Sequence, residues 1–329
     1  MNIHDLILNS SSFNYSLGHL GKNTENSNPK PISIFDFFDI ACNQGFGGVE
    51  FPLFRFCNHE STNIEKIYDY LNSNNLFCQF DCGNPIDIDE IKKIIPIAKR
   101  FKSDIIRIKV SNILCCNRKI IDHGWDSFIN SIIKKLRSLI PYLNDYQIKL
   151  AIENHQDVDS LDLINIIDKV DSDYIGVNFD IGNAFATLEY PLEFAKKMGD
   201  RIILINLKDY KFKKSKYGFR LIQCPFLDGV VPFEDLFIHF RENLASIKMS
   251  LEIGALQSRN IEKKKSEFWK NFRKISEKEK LDFFNFVEEN LIDKNSDWMT
   301  PWEKDQSGDL IIKHELNQVV NSVENLRAY

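Results

Sequence analysis

Four acidic or amide side chains stand at the ends of apolar runs in the second half of the chain: Glu153 in "KLAIENH", Asp180 in "VNFDIGN", Asn206 in "INLKD" and Glu252 in "SLEIGA". The steps from 153 to 180 and from 180 to 206 each match one strand-plus-helix unit, and the step from 206 to 252 is one unit plus a long loop. Side chains at matching heights on neighbouring parallel strands would point into one mouth. Three carboxylates gathered in a poorly solvated mouth repel one another unless a cation sits among them. Oxygen-rich ligand sets of this kind suit Mg2+, Mn2+ or Co2+. Any one of these carboxylates alone reads more simply as a turn cap or an ion pair; four polar strand ends in phase with one repeat favour a site.

Other polar residues fall beside them. His155 lies two residues past Glu153 and Lys208 two past Asn206, so each shares its neighbour's face if the strand continues. His155 could bond a substrate hydroxyl or be a satisfied loop histidine. Lys208 could bind a carboxylate or phosphate, or pair with Asp209 or Glu252. Arg107 and Lys109 alternate in "IIRIKVS", where charges facing a barrel interior need partners. Arg107 is expected to pair with Glu50; Lys109 is open between such pairing and an anionic substrate group. Arg259, just beyond the last run, could reach over the mouth, and Asn183 reads as a residue that fixes its loop.

The elements that must position these groups are legible as a repeat. Eight β-rich runs, at 6–11, 47–53, 77–83, 105–111, 149–155, 175–183, 202–210 and 249–256, alternate with stretches whose apolar residues recur at three and four positions. The alternation predicts a (β/α)8 TIM barrel over residues 1–258. An open doubly wound sheet is the rival, but no Gly-rich phosphate loop follows any run. "GKNTENSNPKP" (21–31) marks a long loop. Residues 259–329 are expected to form a helical extension packing on the barrel or on a partner subunit, starting with a charged helical stretch over 260–291 whose charges form a solvated face.

Composition narrows the class. The chain has 329 residues, 43% of them apolar, and a formal charge of −5, which argues against a nucleic-acid partner. Seven cysteines without a CxxC spacing, two of them vicinal at 115 and 116, are expected as free thiols in a cytoplasmic protein. "MNIHDLILNSSS" lacks the pattern of a secretory signal, and no apolar run reaches the ~18 residues of a membrane span.

The segments "LAIENHQD", "NFDIGNAF", "NLKDY", "CPFLDGVVPFEDL" and "LEIGALQSR" resemble the xylose isomerase-like TIM barrels of the sugar phosphate isomerase/epimerase group. The C-terminal "DWMTPWE…NSVENLR" is similar to extensions of members like 3-oxo-isoapionate decarboxylase. The resemblance implies one divalent ion, Mn2+ or Mg2+ with Co2+ as the alternative, held by Glu153, Asp180, position 206 and Glu252. "NLKD" departs from the usual "HLKD": an amide oxygen is a weaker donor than imidazole for later transition metals, so the change favours a harder ion or an altered site. It further implies an isomerase or epimerase of a small sugar or sugar acid, in which the metal polarises a carbonyl and Glu153 and Glu252 act as general base and acid on an enediolate. Loss of CO2 from a 3-oxo sugar acid gives the same intermediate, so a decarboxylase is the alternative; a non-catalytic sugar-binding relative is a further one. An abasic-site endonuclease, which needs a His-rich metal cluster, fits poorly. "CPFLDGVVPF" would lie over the mouth and exclude water. A homo-oligomer is compatible with the helical tail.

Overall fold

Seven apolar runs become the strands β1 (Leu6–Asn9), β2 (Gly48–Phe51), β3 (Phe77–Pro85), β4 (Ile105–Lys109), β5 (Lys149–Glu153), β6 (Ile175–Asp180) and β7 (Ile202–Leu207). A hairpin, β8 (Asp209–Ser215) and β9 (Gly218–Cys224), precedes the eighth barrel strand, β10 (Lys248–Leu251). The barrel strands pair in parallel in the order β1-β10-β7-β6-β5-β4-β3-β2, and β1 closes the ring by pairing with both β10 and β2. The chain is therefore a (β/α)8 barrel. The structure, a computed structural model, describes residues 2–329 apart from 23, 58–62, 245 and 255, and the side chain of residue 84. Parts of the expected 21–31 loop and of the 249–256 run thus lie outside the described residues.

Helices α1 (Ile34–Gln44), α2 (Leu53–Phe56), α3 (Asn63–Ser73), α4 (Ile88–Arg100), α5 (Trp125–Tyr146), α6 (Ser160–Val170), α7 (Pro191–Met198) and α8 (Phe233–Asn243) follow the strands. Their starts are set by local chemistry: Ser33 with Asp36 and Asp159 with Asp162 form reciprocal caps that satisfy otherwise unpaired N–H groups. Their apolar stripes, such as Ile91, Ile94, Ile95 and Ala98 of α4, are buried against the sheet.

Inside the ring, alternation stacks residues in layers. Ile105, Ala151 and Leu204 form a separate apolar cluster. Two residues further along the same strands stand Arg107, Glu153 and Asn206. Register sets Asp81 beside Arg107, Glu153 beside Asn178, and Asp180 beside Asn206. The polar layer therefore rests on an apolar one, at the C-terminal ends of the strands.

Beyond residue 258 the expected helix over 260–291 is replaced in its first half. Arg259–Ile261 form β11, antiparallel to β9, which completes a three-stranded sheet β11-β9-β8. Ser266–Trp269 form one 3-10 turn and only Glu277–Glu289 are α-helical there (α9), because the Lys/Glu-rich stretch before them offers no continuous apolar stripe to bury. Phe283 of α9 packs among Phe185, Tyr190 and Phe219. The last helix, α10 (Gly308–Ala328), is tied to the start of the chain by Glu315, whose carboxylate accepts from Tyr15 N (2.8 Å), Ser16 N (2.9 Å) and Ser16 Oγ (2.5 Å). All seven cysteines are free. Among the described residues no helix is long and apolar enough to cross a membrane.

Candidate active site

The mouth of the barrel holds a cavity of about 170 Å³. Arg107, at the middle of β4, is its electrostatic hub. Its Nε donates to Glu50 Oε1 (2.5 Å), Nη2 to Asp81 Oδ2 (2.8 Å) and Nη1 to Glu153 Oε2 (2.5 Å), with Glu252 Oε2 at 3.4 Å. The expected Arg107–Glu50 pair is present, and it is one arm of a larger network. Lys208, just past β7, donates to Asp180 Oδ2 and to Glu252 Oε1, the latter at 2.8 Å. Of the two partners anticipated for it, Glu252 is one; Asp209 instead accepts from the backbone N–H groups of Tyr210, Gly229 and Val231 and so fixes the loop after β9.

Two amides complete the cluster. Asn206 Nδ2 donates to Glu252 Oε2 (2.8 Å), and Asn9 Nδ2 reaches the same oxygen at 3.2 Å. Asn183 Nδ2 donates to Asp180 Oδ2 (2.7 Å) and more weakly to Glu153 Oε1 (3.4 Å), so it braces the acidic groups as well as its own loop. Glu153, Asp180, Asn206 and Glu252 are thus brought together, all buried. His155 and Lys109 line the same cavity, as does Arg259.

Environment separates the two glutamates. Burial pushes the Glu153 carboxyl up, against the opposing pull of Arg107. Burial acts on Glu252 too, but Lys208 and then Arg107 outweigh it and hold the group down at about 2. Burial lifts Glu50 to about 7 despite Arg107 beside it. His155 lies well below its ordinary value, through burial first and then the charges of Lys109 and Lys208, so its imidazole is neutral. Its Nδ1 has no partner among the described residues. Two carboxyls pushed apart in this way suit one as proton holder and the other as a permanent anion.

The set expected to ligate a divalent ion meets a different occupant. The space between Asp180 and Glu252 is bridged by the Lys208 ammonium, and that between Glu153 and Glu252 by the Arg107 guanidinium. Asn206 presents its NH2, not its carbonyl oxygen, to Glu252. Among the described residues no group of three or more His, Cys, Asp or Glu side chains is arranged to hold a metal ion. Among the described residues Asp180 Oδ1 is the one buried oxygen of this set without a partner. So arranged, these residues do not fit a dication: every other carboxylate oxygen of Glu153, Asp180 and Glu252 already accepts from a donor that the chain itself supplies.

Above this cluster the mouth is cationic. Arg55, Lys109 and Arg259 line it, and none of the three makes an ion pair among the described residues. Arg55 Nη2 donates to the Gly83 carbonyl (3.2 Å), and Arg259 Nε is buried without a partner among the described residues. Sequence reasoning missed Arg55 and Asp81. Asp81 was within reach, since it follows Gln79 at strand spacing in "FCQFDCG"; Arg55 lies in the short helix after β2 and carries no periodic signal.

Comparison with known proteins defines the class. Residues 86–272, more than half of the chain, match the xylose isomerase-like TIM barrel family model, and the chain belongs to that family. A 3-oxo-isoapionate decarboxylase from Pectobacterium atrosepticum is 29% identical over 119 residues, covering 36% of this chain and 43% of that protein. The chain spans less than half the length of the curated relatives it matches. Among solved structures, a xylose isomerase-like TIM barrel protein from Mycobacterium smegmatis in complex with magnesium is similar with a TM-score of 0.58 and 14% identity, covering 87% of this chain and 97% of that one. An L-ribulose 3-epimerase is similar with a TM-score of 0.57 and 11% identity, covering 87% and 94%. At these identities the structures show the shared fold.

Proposed function

We propose that the protein is an enzyme that decarboxylates a small 3-oxo sugar acid through an enediolate. The observation that carries this reading is the trio of cations, Arg55, Lys109 and Arg259, facing the cavity without carboxylate partners among the described residues. Lys109 and Arg259 are partly buried and Arg55 is exposed at the rim; cations converging on one cavity in this way are stabilised by an anion, and a substrate carboxylate supplies one. Sequence similarity to the 3-oxo-isoapionate decarboxylase supports the same choice.

The chain's own groups then divide the work. The rim cations orient the substrate carboxylate, and the ketone oxygen docks against Lys208. When the C–C bond to the carboxylate breaks, CO2 leaves and the electron pair moves onto that oxygen, where the Lys208 charge stabilises it. Glu153, whose burial favours its protonated form, is placed to return a proton to carbon. Neutral His155 offers a hydrogen bond to a sugar hydroxyl.

Epimerisation or isomerisation of a sugar acid is the second reading, favoured by two glutamates lining one cavity. Incubation with 3-oxo sugar acids while CO2 is trapped tests the first. Deuterium uptake from D2O into recovered substrate, with no CO2, would replace it by the second.

A further inference from the structure

We propose that Lys208, backed by Arg107, takes the place expected of a divalent cation among the strand-end carboxylates, so that the site works with positive charge carried by the chain. This deepens the reading above for the same site, but its test needs no substrate, so the two can fail separately.

Three observations support it. Each of the carboxylates expected to ligate metal already has a buried cationic partner: Glu153 has Arg107, Asp180 has Lys208, and Glu252 has both. Glu252 Oε2 is further surrounded by donors, since the amides of Asn9 and Asn206 both point hydrogen at it. An oxygen whose lone pairs are taken by N–H groups is a poor metal ligand. Finally, Asn206 turns its NH2, not its carbonyl oxygen, toward Glu252, so this amide braces the carboxylate and offers no lone pair on that side.

The exchange changes what the site can do. A metal ion stabilises a substrate oxygen by charge and coordination, whereas the Lys208 ammonium supplies charge together with a proton that it can pass to that oxygen. The enediolate formed by loss of CO2 can be stabilised as an ion pair or take that proton on oxygen, Lys208 recovering it when the carbon is protonated and the ketone re-forms. The ammonium is held by Asp180 and Glu252 on two different strands, which fixes its direction as a coordination sphere would fix an ion.

Mn2+ binding followed by electron paramagnetic resonance tests this on full-length protein stripped with chelator. Wild type should show no saturable site at millimolar Mn2+. Lys208→Met, and Lys208→Gln as the milder change, leave Asp180 and Glu252 without their ammonium and should gain Mn2+ affinity by about tenfold or more. Saturation of wild type at one Mn2+ per chain, lost in Asp180→Asn, overturns the proposal. So does a folded Lys208 variant that gains no affinity.

Discussion

Lys208 Nζ stands 2.8 Å from Glu252 Oε1 and also contacts Asp180, so one ammonium joins the ends of β6 and β10 across the end of β7. All three groups are buried. A charge so placed is worth far more than the same charge in water, because few solvent dipoles screen it.

Loss of that charge should be felt in the chemical step. Lys208→Met is expected to lower kcat by about a hundred- to a thousandfold, the usual range for removing one preorganised electrostatic group. Lys208→Arg should fall between. Steady-state kinetics on the sugar acid, with circular dichroism as the control for folding, reads the effect; unchanged kcat in Lys208→Met would remove Lys208 from the mechanism.

The rim cations should act on binding. Arg259→Gln and Lys109→Gln each remove a charge-assisted hydrogen bond to the substrate anion, worth about 1.5–3 kcal/mol. The expected result is a KM raised roughly ten- to a hundredfold with a smaller change in kcat, and a weaker dependence on salt. A variant whose kcat falls while KM stays fixed would move that residue from binding to chemistry.

Arg107 should matter for folding as well as function. Arg107→Leu leaves the buried Glu50 and Glu153 and the partly buried Asp81 without their shared cation. Breaking buried ion pairs from one side costs about 3–5 kcal/mol. Urea unfolding should show that loss, and adding Glu50→Gln should recover part of it, because the double variant has one uncompensated carboxylate fewer. Strict additivity of the two changes would mean that the pair does not interact.

Glu315 makes stability depend on pH. Burial pushes its carboxyl to about 7, against the hydrogen bonds it accepts from Ser16 and Tyr15. Between its ordinary value near 4.5 and 7 the folded chain holds a proton that the unfolded chain has released. Its contribution is therefore full below the lower value and lost as pH rises through the upper one, about 3 kcal/mol in all. Glu50 and Asp209, lifted in the same direction, add to the slope. Thermal unfolding across this window should show a shallower decline in Glu315→Gln than in wild type; an equal slope would indicate that Glu315 ionises normally.

How much of this was legible in the sequence follows from the range of the forces. Strand and helix periodicity is local, so all eight barrel strands and the convergence of Glu153, Asp180, Asn206 and Glu252 could be read from spacing. The need for a cation among them was also legible, as was the Arg107–Glu50 pair. The identity of that cation was not. Lys208 reaches Asp180 from a neighbouring strand, and strand spacing says nothing about which of two like-facing side chains fills the centre. The hairpin β8–β9 was read as a long loop, although Tyr210, Phe212, Phe219 and Leu221 alternate with polar residues on either side of the Lys216–Tyr217 turn. The helix expected over 260–291 lost its first half because pairing with β9 satisfies the backbone of Arg259–Ile261, a non-local bond that charge patterning does not report.

Arg259 opens β11, and β11 is zipped to β9 rather than to any stave of the barrel. One of the groups lining the entrance is therefore delivered by chain that comes after the cylinder has closed. A cut at residue 258 would remove no residue of any stave yet strip the doorway of a fixed charge. Grafting these eight staves onto another tail would likewise change which anions are admitted.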